Sequence, residues 1–220
     1  MDSVTTTIPF RQKLGYSAVL LGAVAMIAGA ALTFGHIQTA DDIAARLAED
    51  RLASLEQVVP ADLHDNDMVK DALNIQTGEA GPKTFFRALR GGKVTAVAFE
   101  MIGQGYGGAI RLLMSVDPNG SILGVRVLTH SETPGLGDKI EIKKTKWILG
   151  FNGRSLGNPD ETGWHVKKDG GVFDQFTGAT ITPRAVVKTI HAGLRLFTEH
   201  RDELLAPAAQ PNTTAEASHG

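Results

Sequence analysis

Asp174-Gln175-Phe176-Thr177-Gly178-Ala179-Thr180-Ile181-Thr182-Pro183 is the stretch on which the reading of this chain turns. Thr182 before Pro183 reads as a helix start, because a Thr hydroxyl can accept from an orphan amide and proline fits the first helical position. Val186, Val187, Ile190, Leu194 and Phe197 then recur at helical spacing, which predicts an amphipathic helix over residues 183–200 capped by Thr182. Thr180 is thereby placed just outside a helix N-terminus. Unpaired amides and the positive end of the dipole favour a phosphate at such a place. An ordinary helix cap explains the same residues without any ligand.

A second stretch lies upstream: His130-Ser131-Glu132-Thr133-Pro134-Gly135-Leu136-Gly137-Asp138-Lys139. Its proline and two glycines predict a rigid loop whose backbone can approach a flat ligand closely, with a plain surface turn as the alternative. Both stretches carry a resemblance. D-x-x-T-G-A-T resembles the flavinylation motif D-x-x-[ST]-G-A-[ST] of membrane-bound redox subunits. S-E-T-P-G-L-G-D-K is similar to a loop of the flavin-binding domain shared by the G subunit of the Rnf electron-transport complex and the C subunit of the sodium-pumping NADH:quinone reductase.

This resemblance implies that Thr180 carries FMN through a phosphoester, and that Asp174, Thr177, Gly178 and Ala179 form the sequence read by the flavin transferase. It also implies that Glu132, Thr133, Gly135, Leu136 and Lys139 line the FMN. The short length and lean connector at residues 152–173 favour the Rnf G subunit. The implied function is that of a membrane-anchored flavoprotein subunit of a multisubunit ion-translocating complex, relaying electrons between NADH and ferredoxin branches. Its partners would be the complex's other membrane subunits, and it would be an electron carrier rather than a stand-alone enzyme. Three alternatives stay open: the C-type subunit of the sodium pump, a periplasmic FMN-dependent reductase, and a membrane-tethered binding module in which Thr180 is only a cap.

Toward the N-terminus, residues 14–34 carry no charge, and as a helix they span about 31 Å, matching a bilayer core of about 30 Å. An uncleaved anchor is favoured over a cleaved signal peptide, since the run exceeds the usual apolar length of such peptides of roughly 7–15 residues. Arg11 and Lys13 precede the run and Asp41 and Asp42 follow it. The positive-inside rule then predicts a single-pass protein of the inner membrane, with a cytoplasmic N-terminus and a periplasmic main domain.

Between anchor and motifs, residues 41–59 read as a helix ended by Pro60, and residues 61–83 as irregular with a short helix at 67–73. Strands are predicted at residues 84–89, 93–101, 109–116 and 121–129, joined by short turns that imply an antiparallel meander. The Gly103–Gly108 run, GQGYGG, lacks the G-x-G-x-x-G spacing and opens no helix, which argues against a dinucleotide fold. A short helix is expected at residues 139–151, with Trp147 in the core. The fold class is α+β: one transmembrane helix, then an FMN-binding domain with an antiparallel sheet and flanking helices. The layout is 1–13 cytoplasmic, 14–34 transmembrane, 35–83 linker, 84–201 FMN-binding domain and 202–220 disordered tail.

Composition removes other classes. There is no cysteine, so neither a thiolate-held cluster nor a disulfide is available. The net charge of −2 gives no reason to expect nucleic acid as a partner. The seven His residues lack metal-ligand spacing, and only His130, beside the second stretch, invites attention.

Overall fold

The computed structural model describes residues 14–78 and 81–207, so the expected cytoplasmic segment 1–13 and the tail from 208 lie outside the described residues. The chain divides into two compact units, Met1–Glu49 and Asp50–Gly220.

Helix α1 (Leu14–Glu56), whose residues from Asp50 count with the second unit, contains Gly15–Phe34, the one helical stretch among the described residues long and apolar enough to cross a membrane. Its large side chains face outward all round, as Val19, Leu21, Met26 and Leu32 do, which suits lipid rather than a protein core. The sequence predicts a span and a separate helix from residue 41. The structure has a single unbroken helix, because nothing between residues 34 and 41 is a proline or glycine other than Gly35. The helix stops at Glu56, four residues before Pro60.

The second unit is a five-stranded antiparallel meander in the order β1 (Ala72–Gln76), β2 (Pro82–Arg90), β3 (Lys93–Gln104), β4 (Ala109–Val116), β5 (Ile122–Thr129). Strand alternation splits the core in two. Phe85, Val97, Phe99, Leu112 and Met114 point to one face, where helix α2 (Ile181–Glu199) lays down Val186, Val187, Ile190, Leu194 and Phe197. Phe86, Ala88, Ala96, Ala98 and Leu113 point to the other, against Leu55, Val58, Val59 and Met68. Each fully buried side chain of this size contributes about 1.5–3 kcal/mol, so either layer alone outweighs any single loop contact. With both faces covered, the strands read as near-continuous apolar runs, which is why four of them are visible in the sequence.

Strand β1 is not visible there. Asp67 does begin a helical turn, its carboxylate accepting from the Val69 and Lys70 amides at 3.0 and 3.3 Å. The turn ends at once, and residues 72–76 pair with β2 instead, setting Ala72 opposite Phe86 and Gln76 opposite Pro82. Partner strands supply what local propensity does not.

Two further expectations are corrected. Residues 139–151 form two separate 3₁₀ turns, Gly137–Ile140 and Trp147–Phe151, in place of one helix. Between them the Thr145 hydroxyl donates to the Lys139 carbonyl at 2.7 Å and accepts from the Trp147 amide at 3.2 Å, competing with helical bonds. The start of the tail is ordered: α3 (Arg201–Leu204) buries Leu204 completely, and Arg87 Nη1 donates to the Ala206 carbonyl at 3.0 Å. Two adjacent leucines in an otherwise short polar stretch give little sequence signal of docking, but a preformed core surface accepts them.

Candidate functional site

Three loops converge at one end of the sheet. The first is the hairpin between β3 and β4, where the Gly105 amide donates to the Gly108 carbonyl at 2.8 Å. A Cβ at Gly107 would fall onto the Ser131 carbonyl, so only glycine lets this hairpin touch the loop that follows β5.

That loop is the second element. Pro134 and Gly135 occupy the middle of a turn closed by the Leu136 amide on the Thr133 carbonyl at 3.1 Å, with Gly135 at φ +77°. Proline at the first central position and positive φ at the second are what such a turn requires. Ahead of it, His130 Nδ1 accepts from the Glu132 amide at 3.0 Å and Nε2 meets Glu141 Oε1 at 2.8 Å. A ring that accepts at Nδ1 carries its proton on Nε2, so this is the neutral tautomer donating to Glu141. Behind the turn, the Gly135 amide and then the Lys144 ammonium hold the buried Asp138 carboxyl below the usual carboxylate range. The Lys144 Nζ to Asp138 Oδ2 distance is 3.3 Å.

The third element is the start of α2. Phe176 to Ala179 forms a turn of the same kind, closed by the Ala179 amide on the Phe176 carbonyl at 3.1 Å, with Gly178 at φ +82°. Arg184, in the first turns of α2, takes Asp169 with two bonds of 2.6 Å, which fixes the connector against the helix and holds the Asp169 carboxyl low.

Thr182 departs from its expected role. It is the second residue of α2, buried, and its hydroxyl donates to Glu132 Oε2 instead of capping the helix. Thr180 stands at the cap position, at φ −80° and ψ −24°, with no side-chain cap bond. The helix therefore begins two residues earlier than its sequence suggests, because a buried carboxylate from 50 residues away outcompetes local amides for the Thr182 hydroxyl. Glu132 is the centre of the arrangement: Oε1 accepts from the Gly107 amide at 3.0 Å while Oε2 takes Thr182, so one carboxylate ties all three loops together.

Between the loops opens a cavity of about 350 Å³, within the roughly 300–1,000 Å³ typical of small-molecule sites. Of the residues singled out in the sequence, Glu132, Thr133, Leu136, Gly178, Ala179 and Thr180 line it. Gly135, Lys139, Asp174 and Thr177 do not. Gly135 shapes the turn, Lys139 is half-buried with its carbonyl given to Thr145, and Thr177 lies in the exposed turn. Asp174 is exposed, paired with Lys167 at 2.6 Å, and its carbonyl accepts from Trp147 Nε1 at 2.9 Å. Trp147 is half-buried against Phe151 and Phe176, an anchor for the connector.

Sequence reasoning missed Tyr106, which lines the cavity and is 72% exposed. The available signal was a lone aromatic inside a glycine-rich turn, where small neighbours leave a large side chain no core to join. Ile181, also half-exposed at the rim, was missed because it falls between two threonines that drew the attention.

The matched regions of known proteins cover this same assembly. Residues 105–195, from the first hairpin through most of α2, match a family described as an FMN-binding domain. The chain is 59% identical over 191 residues, 87% of each chain, to the G subunit of the ion-translocating oxidoreductase complex of Cereibacter sphaeroides. It is 48% identical over 181 residues to the G subunit of Stutzerimonas stutzeri (82% of this chain, 79% of the other), and 41% over 212 residues to that of Pseudomonas aeruginosa (94% and 97%). The chain belongs to the family of G subunits of ion-translocating oxidoreductase complexes. Among solved structures, NqrC of Shewanella oneidensis aligns with a TM-score of 0.45 at 23% identity, covering 67% of this chain and 71% of that one.

The cavity of this family member suits FMN. Tyr106 and Leu136 expose apolar surface into it, the kind that a flat ring can stack on, and the helix end beside it has no side-chain cap, the kind of place where a phosphate is favoured. Pro183 has no amide and the Arg184 amide closes on the Thr180 carbonyl at 3.4 Å. The amides of Ile181 and Thr182 have no intrahelical carbonyl to take them.

Proposed function

We infer that this chain is the flavin-bearing electron carrier of its complex, with FMN joined by a phosphoester to the Thr180 hydroxyl. The observation that supports this reading best is the contrast between two threonines. Thr182 is committed to Glu132, whereas Thr180 opens into the cavity with no cap bond to give up. Thr177 lines no part of the cavity. Once esterified, the phosphate keeps a charge that the helix end favours by roughly 0.3–1 kcal/mol.

Bound FMN supplies one- and two-electron transfer. The chain's own residues contribute placement. Glu132 keeps the loops in register, Tyr106 and Leu136 would hold the ring, and Gly178 turns the motif so that Thr180 faces the cavity. Asp174, Thr177 and Gly178, exposed, and the half-buried Ala179 form the tract read by a flavin transferase, while Thr133 lines the seat and Gly135 and Lys139 support it from behind. Residues 84–201 form the flavin-holding domain, 35–83 the link and 14–34 the anchor. The anchor lies in the inner membrane with the N-terminus cytoplasmic and the domain periplasmic, where the transferase works. A single span cannot line an ion path, so ion translocation belongs to the partner subunits and electron relay between NADH and ferredoxin branches to this one.

The test is Thr180→Val in a host that contains the transferase. Covalent flavin fluorescence on a denaturing gel should vanish, the intact mass should fall to that of the bare chain, and the circular dichroism spectrum should be unchanged. Flavin still covalently attached, traced by peptide mass to another hydroxyl, would overturn the assignment.

A further inference from the structure

The outer edge of the sheet beyond β4 is β5, and only its first residue is paired on that side. Ile122 donates to the Arg154 carbonyl and accepts from the Gly153 amide, each at 2.8 Å. Among the described residues, no backbone hydrogen bond joins residues 123–129 to anything except β4. Along this open edge runs a groove of about 520 Å³, larger than the cavity between the motif loops. Its lining includes Arg126 and Thr129 on the strand, with Ile142 and Lys143 from the following loop and Ser54 and Gln57 from the end of α1.

The groove's charges are unbalanced. Glu141 also lines it and accepts from the neutral His130 ring at 2.8 Å, so one carboxylate stands against the two cations Arg126 and Lys143. Arg126 is half-buried, desolvation holds its pKa below the ordinary value, and its guanidinium donates only to the neighbouring Val125 carbonyl at 2.8 Å. Among the described residues neither Arg126 nor Lys143 forms an ion pair, although Arg111, Lys144, Lys167, Arg184 and Arg195 all do. A partly buried cation without a counter-ion is costly, and a free strand edge is a template for another strand. Together they define what is missing: an extended backbone that brings a carboxylate.

We propose that this groove docks another subunit of the complex, which adds an extended segment along β5 and sets a carboxylate against Arg126. The inference rests on membership of a complex-subunit family and not on the flavin attachment, so failure of the Thr180 test leaves it standing.

A photo-crosslinking residue is placed at Thr129 in the full chain within the assembled, membrane-embedded complex, with a parallel probe at Gln76 on the opposite sheet edge. The Thr129 probe should form an adduct with an acidic stretch of another subunit, identified by peptide mass, and the Gln76 probe should not. Arg126→Glu should lower the Thr129 adduct by about tenfold or more, while Arg126→Lys keeps most of it. Melting temperature and flavin content report whether Arg126→Glu remains folded. Should it not, Lys143→Glu, on an exposed side chain, replaces it with the same expected direction. An adduct only with a second copy of this chain, with its own residues 208–220 or with lipid overturns the proposal. So does no adduct in an intact complex, or one indifferent to the charge reversals.

Discussion

The two turns that frame the cavity share a backbone design and differ in how their flanks are held. Each has an amide-to-carbonyl bond of 3.1 Å across its ends, to which the first adds the Gly137 amide on the same Thr133 carbonyl at 3.0 Å, and each places glycine at positive φ in the third position. Residues 133–136 are exposed, but both flanks of their turn are held: Glu132 reaches Gly107 and Thr182, His130 holds the Glu132 amide, and Asp138 behind the turn pairs with Lys144. The turn at residues 176–179 leaves Asp174, Gln175, Thr177 and Gly178 exposed and leans on the fold mainly through Phe176 and Trp147. A wall must keep its shape when a ligand presses on it, whereas a tract that an enzyme modifies must stay within reach. The contrast fits the proposal that one turn is scaffold and the other the tract that is modified.

Thr182→Val should break the contrast most severely. It leaves the buried Glu132 carboxylate short of a donor, at a cost of about 1–3 kcal/mol, which lowers the melting temperature by roughly 2–4 °C per kcal/mol in a domain of this size. Covalent flavin should remain on the folded fraction. A normal melting temperature with loss of label would move the modified hydroxyl to Thr182 and reverse the roles of the two threonines.

Gly135→Ala and Gly178→Ala sharpen the same distinction. An L-residue in left-handed backbone costs roughly 1–2 kcal/mol at either place, so denaturant unfolding should show similar losses. Labelling should diverge: Gly178→Ala reorients the tract next to Thr180 and should slow flavin transfer, while folded Gly135→Ala should be labelled at the normal rate. Equal labelling rates would mean that the transferase does not read the second turn's shape.

A smaller effect belongs to His130, which has no counterpart in the turn at residues 176–179. His130→Leu should cost about 0.5–1.5 kcal/mol by removing the acceptor of the Glu132 amide. His130→Asn should recover most of it, since an Asn side-chain oxygen accepts from the amide two residues on in the same manner. Thermal melts of the three proteins decide the matter, and an Asn variant no better than Leu would locate the effect in the Glu141 pairing.

The smallest expected effect is an acid one. The folded-state pKa of Asp138 lies below its ordinary value, so its contribution to stability is complete above about pH 4 and is lost as pH falls through that lowered pKa. Asp169, held low by Arg184, adds a loss of the same sign in the connector. Comparing the pH dependence of unfolding below neutrality, Asp138→Asn should flatten the acid limb relative to the unaltered protein, and an unchanged limb would show that Asp138 does not carry it.

The local signals in the sequence were those that depend on near neighbours. Residues 186–197 showed α2 through their spacing, four strands showed through runs that must be apolar on both faces, and the uncharged run of residues 14–34 showed a span. The two motifs pointed by resemblance to one site, and six of the ten residues they suggested do line one cavity. Contacts made across the fold were hidden. Strand β1 exists because β2 offers it an edge, α3 is ordered because Leu204 finds a core, and Tyr106 reaches the cavity because Gly107 lets one hairpin press against a distant loop.

The cap shows where the boundary falls. Sequence alone determined that a helix begins near Pro183 with threonines around it, since proline geometry and helical spacing are properties of a few consecutive residues. Which threonine is free was decided by Glu132, 50 residues away in the chain and in contact only after the sheet and α2 have packed. A hydroxyl chooses the strongest acceptor within reach, and what lies within reach is set by the tertiary fold.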